Sequence, residues 1–193
     1  MRWSILEEIK GKLLHIAIIL LVTLHLLLRD SVSQQISLFT LVFILLFLMA
    51  AEYIRLEMNV EVPIIKQILR SREERRMHGV IYFLTATIIC LAVFEFKIAI
   101  AALLMTVFGS MAATIVTNKF GKTLIFKNKT VKGAITQFIV NVVLGLIILQ
   151  NIYLIIAMAA TATIIETMLS ELDDNLFIPL FAGFAGQLIF FII

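Results

Sequence analysis

The stretch Phe108–Gly133, FGSMAATIVTNKFGKTLIFKNKTVKG, joins two apolar runs through a loop with five lysines and no acid. It leaves the first run past small residues (Gly109, Ser110, Ala112, Ala113) and re-enters an apolar run at Ala134. Small residues at a helix end let a backbone or ligand come close, and clustered lysines offer point charges to an anion such as a phosphate. A basic connector between two long apolar runs reads as a loop held at a membrane surface.

The remainder of the chain extends that reading. Of 193 residues, 62% are hydrophobic and 15% are charged. So much apolar surface has no room inside a globule of this size, which excludes an ordinary soluble domain. The expected fold class is all-α, a polytopic membrane bundle forming one domain over residues 1–193. Seven runs approach the roughly 20 residues a spanning helix needs: Leu13–Leu28, Ile36–Ile54, Gly79–Phe94, Ile98–Thr117, Ala134–Leu149, Ile152–Met168 and Leu176–Ile193. Cys90, the one cysteine, lies inside an apolar run as a small core hydrophobe, so neither a disulfide nor a cysteine metal site is available. No cleavable secretory signal is expected, because no small-residue cleavage site follows the first run.

The loops predict the orientation. Fourteen of the sixteen basic residues fall in the leading segment, the second loop and the fourth loop, leaving Arg29 and Lys97 on the other side. The positive-inside rule then places the N-terminus and the even-numbered loops in the cytosol. The opposite connections are short, so any chemistry belongs to the cytosolic face. In the second loop, the apolar positions of Val62–Leu69 recur at helical spacing among Lys66, Arg70 and Arg72. That segment reads either as an amphipathic helix on anionic lipid or as a solvated connector.

Ionisable groups at membrane depth are costly and point to function. Glu52 sits three residues before Arg55, a spacing that permits an ion pair on one helix face. Glu166 closes a run of small and hydroxyl-bearing residues, and Asp173, Asp174 and Asn175 follow it. These oxygen donors at one boundary suit magnesium bridging to phosphates, although a solvated acidic turn has the same composition. Gln137 and Asn141, one turn apart, are expected to hydrogen-bond to neighbouring helices. His15 and His25 are too far apart on the first run to share a site. Gly145, Gly183 and Gly186 read as close-packing positions.

Several segments together resemble the polyprenol kinase family, which includes CTP-dependent dolichol kinase, phytol kinase and yeast-type CTP-dependent diacylglycerol kinase. EEIKGKLLH, with Lys12 and His15, is similar to the family's charged start before its first span, although Gly11 stands where arginine is usual. AEYIRLE, with Glu52 and Arg55, is similar to its Glu–Arg segment, and EERRMHGVIYFL to the lead into its next span. FGSMAATIVTNKFGK resembles its glycine–Asp–x–x–Ala…Phe–Gly–Lys motif, and KNKTVKG the following Lys–Ser/Thr–x–Glu–Gly. AATATIIETMLSELDDNLFIPL is similar to its Ala–Thr…Glu…Asp–Asn–Leu–x–x–Pro–Leu ending. The segments cover most of the chain in the family's order.

The resemblance implies CTP-dependent, magnesium-assisted phosphorylation of a polyisoprenoid or related lipid alcohol. It implies nucleotide binding by Gly109, Ser110, Lys119, Gly121, Lys122, Lys129, Thr130 and Gly133. Glu166 and Asp174 would be catalytic, with Glu166, Asp173 and Asp174 holding metal. Lys12, His15, Glu52, Arg55 and Asn175 are further polar candidates. Partners would be the lipid alcohol, the nucleotide and membrane lipids, with no nucleic acid; the short loops and the lack of a signal, read apart from the resemblance, fit a prokaryotic plasma membrane better than an organelle. Two positions depart from the family: Ser110 replaces its Asp and Lys132 its Glu. They leave open a divergent kinase, an inactivated variant, or a member with a changed donor or role. A cytidylyltransferase of the CDP-lipid synthase type and a non-catalytic lipid-binding or transport protein are the alternatives.

Overall fold

The computed structural model describes residues 19–20, 22–23, 33–57, 77–121, 123–126, 129–168 and 173–193. Among them are six continuous helices and one small hairpin. The helices are α1 (Gln34–Glu57), α2 (Gly79–Val93), α3 (Phe96–Phe120), α4 (Val131–Ile148), α5 (Ile152–Met168) and α6 (Asp174–Ile192). The hairpin pairs β1 (Leu124–Phe126) with β2 (Lys129–Thr130), antiparallel, inside the lysine loop.

α1, α3, α4 and α6 are long and apolar enough to cross a membrane, whereas α2 and α5 are apolar but shorter. Seven spanning helices are therefore not what the described residues contain. Of the first expected run only residues 19–20 and 22–23 are described, and these are helical; Val62–Leu69 lies outside the described residues.

Helix ends follow local chemistry. The His78 side chain accepts from Val80 N at the start of α2, and Glu95 accepts from Lys97 N and Ile98 N at the start of α3. Thr130 caps α4 and Asp173 caps α6 in the same way. Each cap satisfies an N–H group that the first helical turn leaves without a partner. Short connections then force antiparallel neighbours, and side-chain contacts agree. Gly133 lies against Thr117 and Ala113, Gly109 against Asn141, and Gly145 against Met105 and Ile155.

α3 is the central helix and α1 the most peripheral. Ala99, Ala101 and Ala102 of α3 are fully buried, which lets neighbouring helices approach closely. α6 packs on α5, α2 and α3. Its Gly183 faces the Phe94 ring and its Gly186 faces Met158 and Ile98, so the expected close-packing role of these glycines holds. Phe39, Phe43, Phe47, Ile147 and Phe191 are all exposed, an outer apolar surface suited to lipid rather than water. One end of the bundle carries Arg55, Lys119, Lys129 and Lys132; the opposite end, at the α2–α3 turn, carries Lys97.

Candidate functional site

The basic end is built from the end of α3, the hairpin, the start of α4, the end of α5 and the start of α6. The hairpin is docked by small contacts. The Thr117 and Thr130 hydroxyls lie 2.8 Å apart, and Thr130 Oγ1 also accepts from Gly133 N at 3.1 Å. A Cβ at Gly133 would stand 2.2 Å from Thr117 Oγ1, and one at Gly121 would stand 2.4 Å from the Thr117 carbonyl. Thr130, Gly121 and Gly133 thus hold the hairpin against α3 and α4.

That docking brings Lys129 to the bundle interior. Lys129 Nζ donates to Glu166 Oε1 at 2.8 Å, and Gln137 Nε2 donates to Glu166 Oε2 at 2.6 Å. Glu166 and Gln137 are each only 1% exposed. A carboxylate so deeply withdrawn requires charge-assisted partners, and here it has a cation on one oxygen and an amide on the other. Gln137 was expected to bond a neighbouring helix and does so. Its service to Glu166 was not legible, because the two residues lie 29 positions apart.

The other expected site residues divide into three groups. At the basic end, Lys119 is exposed with Nζ 5.8 Å from the Phe120 ring centre, and Lys132 is exposed. Asp173 Oδ1 accepts from Asn175 N and from Asn175 Nδ2; Asn175 is buried and Asp174 half-buried. Also at that end, Arg55 Nε and Nη2 donate to Glu52 at 2.8 and 2.6 Å, and His78 N donates to the same carboxylate at 2.8 Å. The ion pair expected from the Glu52–Arg55 spacing is therefore present within α1, and the His78 N–H bond to its carboxylate ties α1 to the start of α2.

A second group lies deeper. Gly109 is eleven residues before the end of α3, a rise of about 16 Å, and so sits within the bundle. Ser110, also buried, gives its hydroxyl to the Thr106 carbonyl of its own helix. Just before it, Met105–Gly109 is π-helical, a distortion that recurs at functional sites. The third group, Lys12, His15 and Lys122, lies outside the described residues.

Among the described residues no group of three or more His, Cys, Asp or Glu is placed to hold a metal. Glu166, Asp173 and Asp174 do not form a common ligand set there, and the Glu166 carboxylate is already engaged by Lys129 and Gln137.

No protein-family model matches the chain, and no match is found among curated proteins or solved structures. The likeness to polyprenol kinases rests on the motifs alone.

Proposed function

We propose that this chain is a multi-pass membrane phosphotransferase that moves the γ-phosphoryl group of CTP to the hydroxyl of a polyisoprenoid or related lipid alcohol. The observation that carries the reading is the Lys129–Glu166–Gln137 linkage, in which a cation from the basic loop meets a buried acid at the bundle's edge. The positive-inside distribution puts that end in the cytosol, where nucleotide is available. The lipid hydroxyl reaches the same boundary from within the bilayer.

Phosphoryl transfer is chiefly positioning and charge stabilisation. The lipid oxygen bonds to the γ-phosphorus, the γ-phosphorus–bridging oxygen bond breaks, and CDP leaves with that electron pair. Lys129 turns from Glu166 towards the phosphates, with Lys119 adding charge at the rim. Glu166, relieved of its lysine, accepts the hydroxyl proton. Asp174, in the first turn of α6, is a further acid at that end. Magnesium belongs to this reading as the counter-ion that CTP brings, and no step is assigned to a protein-held metal.

A second reading, a non-catalytic lipid-binding protein, draws on Ser110, whose hydroxyl is neutral and turned back to its own helix. Protein reconstituted in lipid with labelled CTP and a panel of polyprenols separates the two. The kinase reading expects a labelled lipid phosphate and CDP, with Glu166→Gln and Asp174→Ala each reducing transfer by about 100-fold or more. A CDP-lipid with pyrophosphate indicates a cytidylyltransferase. No transfer to any alcohol, either by the natural chain or by Ser110→Asp, rejects the kinase.

A further inference from the structure

Asn141 is fully buried, and neither its Oδ1 nor its Nδ2 has a hydrogen-bond partner. A buried amide without partners forfeits the hydrogen bonds it would make in water, so such groups call for a specific explanation. The nearby hydroxyls do not provide one. Thr106 donates to the Ala102 carbonyl and Ser110 to the Thr106 carbonyl, so both are turned back along α3.

Three features mark the place as more than a packing fault. Asn141 lies one turn deeper on α4 than Gln137, which holds Glu166. It faces the π-helical segment Met105–Gly109 of α3. Directly beneath it is Gly109, where a Cβ would stand 2.2 Å from Asn141 Oδ1. Any side chain at position 109 would push the amide away; with glycine, the amide keeps its place against the bare backbone. Buried polar side chains therefore descend from the basic end, Glu166 to Gln137 to Asn141, and the last has both a donor and an acceptor unused.

The unused pair of functions restricts the ligand. A phosphate is charged and offers acceptors, so it leaves Oδ1 unmet and adds the cost of burying an anion. A metal cation engages Oδ1 and leaves Nδ2 unmet. A neutral hydroxyl donates and accepts through one oxygen, matching the amide on both counts. We infer that Asn141 binds a hydroxyl group inside the bundle, namely the alcohol end of a membrane-dissolved lipid. In that position the hydroxyl lies one helical turn from Gln137 on the way to Glu166. The inference rests on the proposed use of a lipid alcohol, and a trapped water is the other source of the same chemistry.

The test needs no nucleotide. Purified protein in nanodiscs is photolabelled with a diazirine-bearing farnesol and, separately, with its O-methyl ether, which can accept a hydrogen bond but not donate one. The expected result is saturable labelling by the alcohol, at least 10-fold weaker labelling by the ether, and loss of that preference in Asn141→Leu. Thermal unfolding of Asn141→Leu, expected to match or exceed that of the natural chain, checks that the variant folds. If it does not fold, Asn141→Ala, which removes the acceptor Oδ1 that the alcohol's O–H would meet, takes its place in the labelling and is expected to lose the same preference. Equal labelling by alcohol and ether, or an unchanged preference in the variant, overturns the inference and leaves trapped water to satisfy the amide. Alcohol-selective labelling that depends on Asn141, without phosphoryl transfer from CTP, retains the site and rejects only the kinase.

Discussion

Lys129 Nζ lies 2.8 Å from Glu166 Oε1, but the two side chains are withdrawn unequally: that of Lys129 is 34% exposed and that of Glu166 only 1%. The pair joins a hairpin at the basic end of the bundle to the buried end of α5. Its two halves are therefore not equivalent. Without Glu166, Lys129 can return to water; without Lys129, the carboxylate stays where it is, held by Gln137 alone among the partners described.

This asymmetry sets the first prediction. Lys129→Met should destabilise the folded protein by about 2–4 kcal/mol, because it strands a buried charge. Glu166→Gln should cost less, below about 1.5 kcal/mol, since the amide retains a partner in Gln137. Denaturant unfolding in detergent micelles measures both. Equal losses would mean that the pair is effectively solvated.

Gly133 is a contact point between α4 and α3. Gly133→Ala should cost about 1–3 kcal/mol through overpacking, since the new methyl stands 2.2 Å from Thr117 Oγ1. Adding Thr117→Ala removes that atom and should restore part of the loss, leaving the milder 3.1 Å approaches to the Ala113 carbonyl and Thr130 Oγ1. Melting temperatures of the two single variants and the double variant decide it; purely additive losses count against the contact.

The Glu52 carboxylate takes two donors from one guanidinium and one from the His78 backbone. A lysine cannot reproduce that fork. Arg55→Lys should therefore destabilise by about 1 kcal/mol or more despite the conserved charge. A melting temperature equal to that of the natural chain would show that charge alone suffices.

Burial and topology are tested together by thiol labelling. Cys90 has no exposed surface and should resist maleimide until the protein unfolds. In a Cys90→Ala background, Lys119→Cys should label from the cytosolic side of oriented vesicles and Lys97→Cys from the other. Labelling of both from one side is incompatible with the proposed orientation.

The helices themselves were largely legible. Apolar runs expected at Ile36–Ile54, Gly79–Phe94, Ile98–Thr117, Ala134–Leu149 and Leu176–Ile193 became helices whose ends moved by a few residues, and Ile152–Met168 kept its bounds. Uninterrupted apolar composition and the capping side chains at His78, Glu95, Thr130 and Asp173 are local properties, written where they act. The Glu52–Arg55 pair was readable for the same reason, being three residues apart on one helix.

The functional arrangement was not written locally. Runs that are apolar on nearly every face do not reveal which side turns inward, so helix rotation comes from tertiary packing. Packing brought Lys129 and Gln137 to Glu166 across 37 and 29 residues and placed Gly109 beneath Asn141. It also set a hairpin in the lysine loop of Phe108–Gly133, where a plain connector was expected. By itself the sequence determined a membrane-suited helical bundle with one basic end, because hydrophobicity and charge act residue by residue. Only the tertiary structure decided which acid meets which lysine and which amide is left without a partner, because those choices depend on the relative rotation of separate helices.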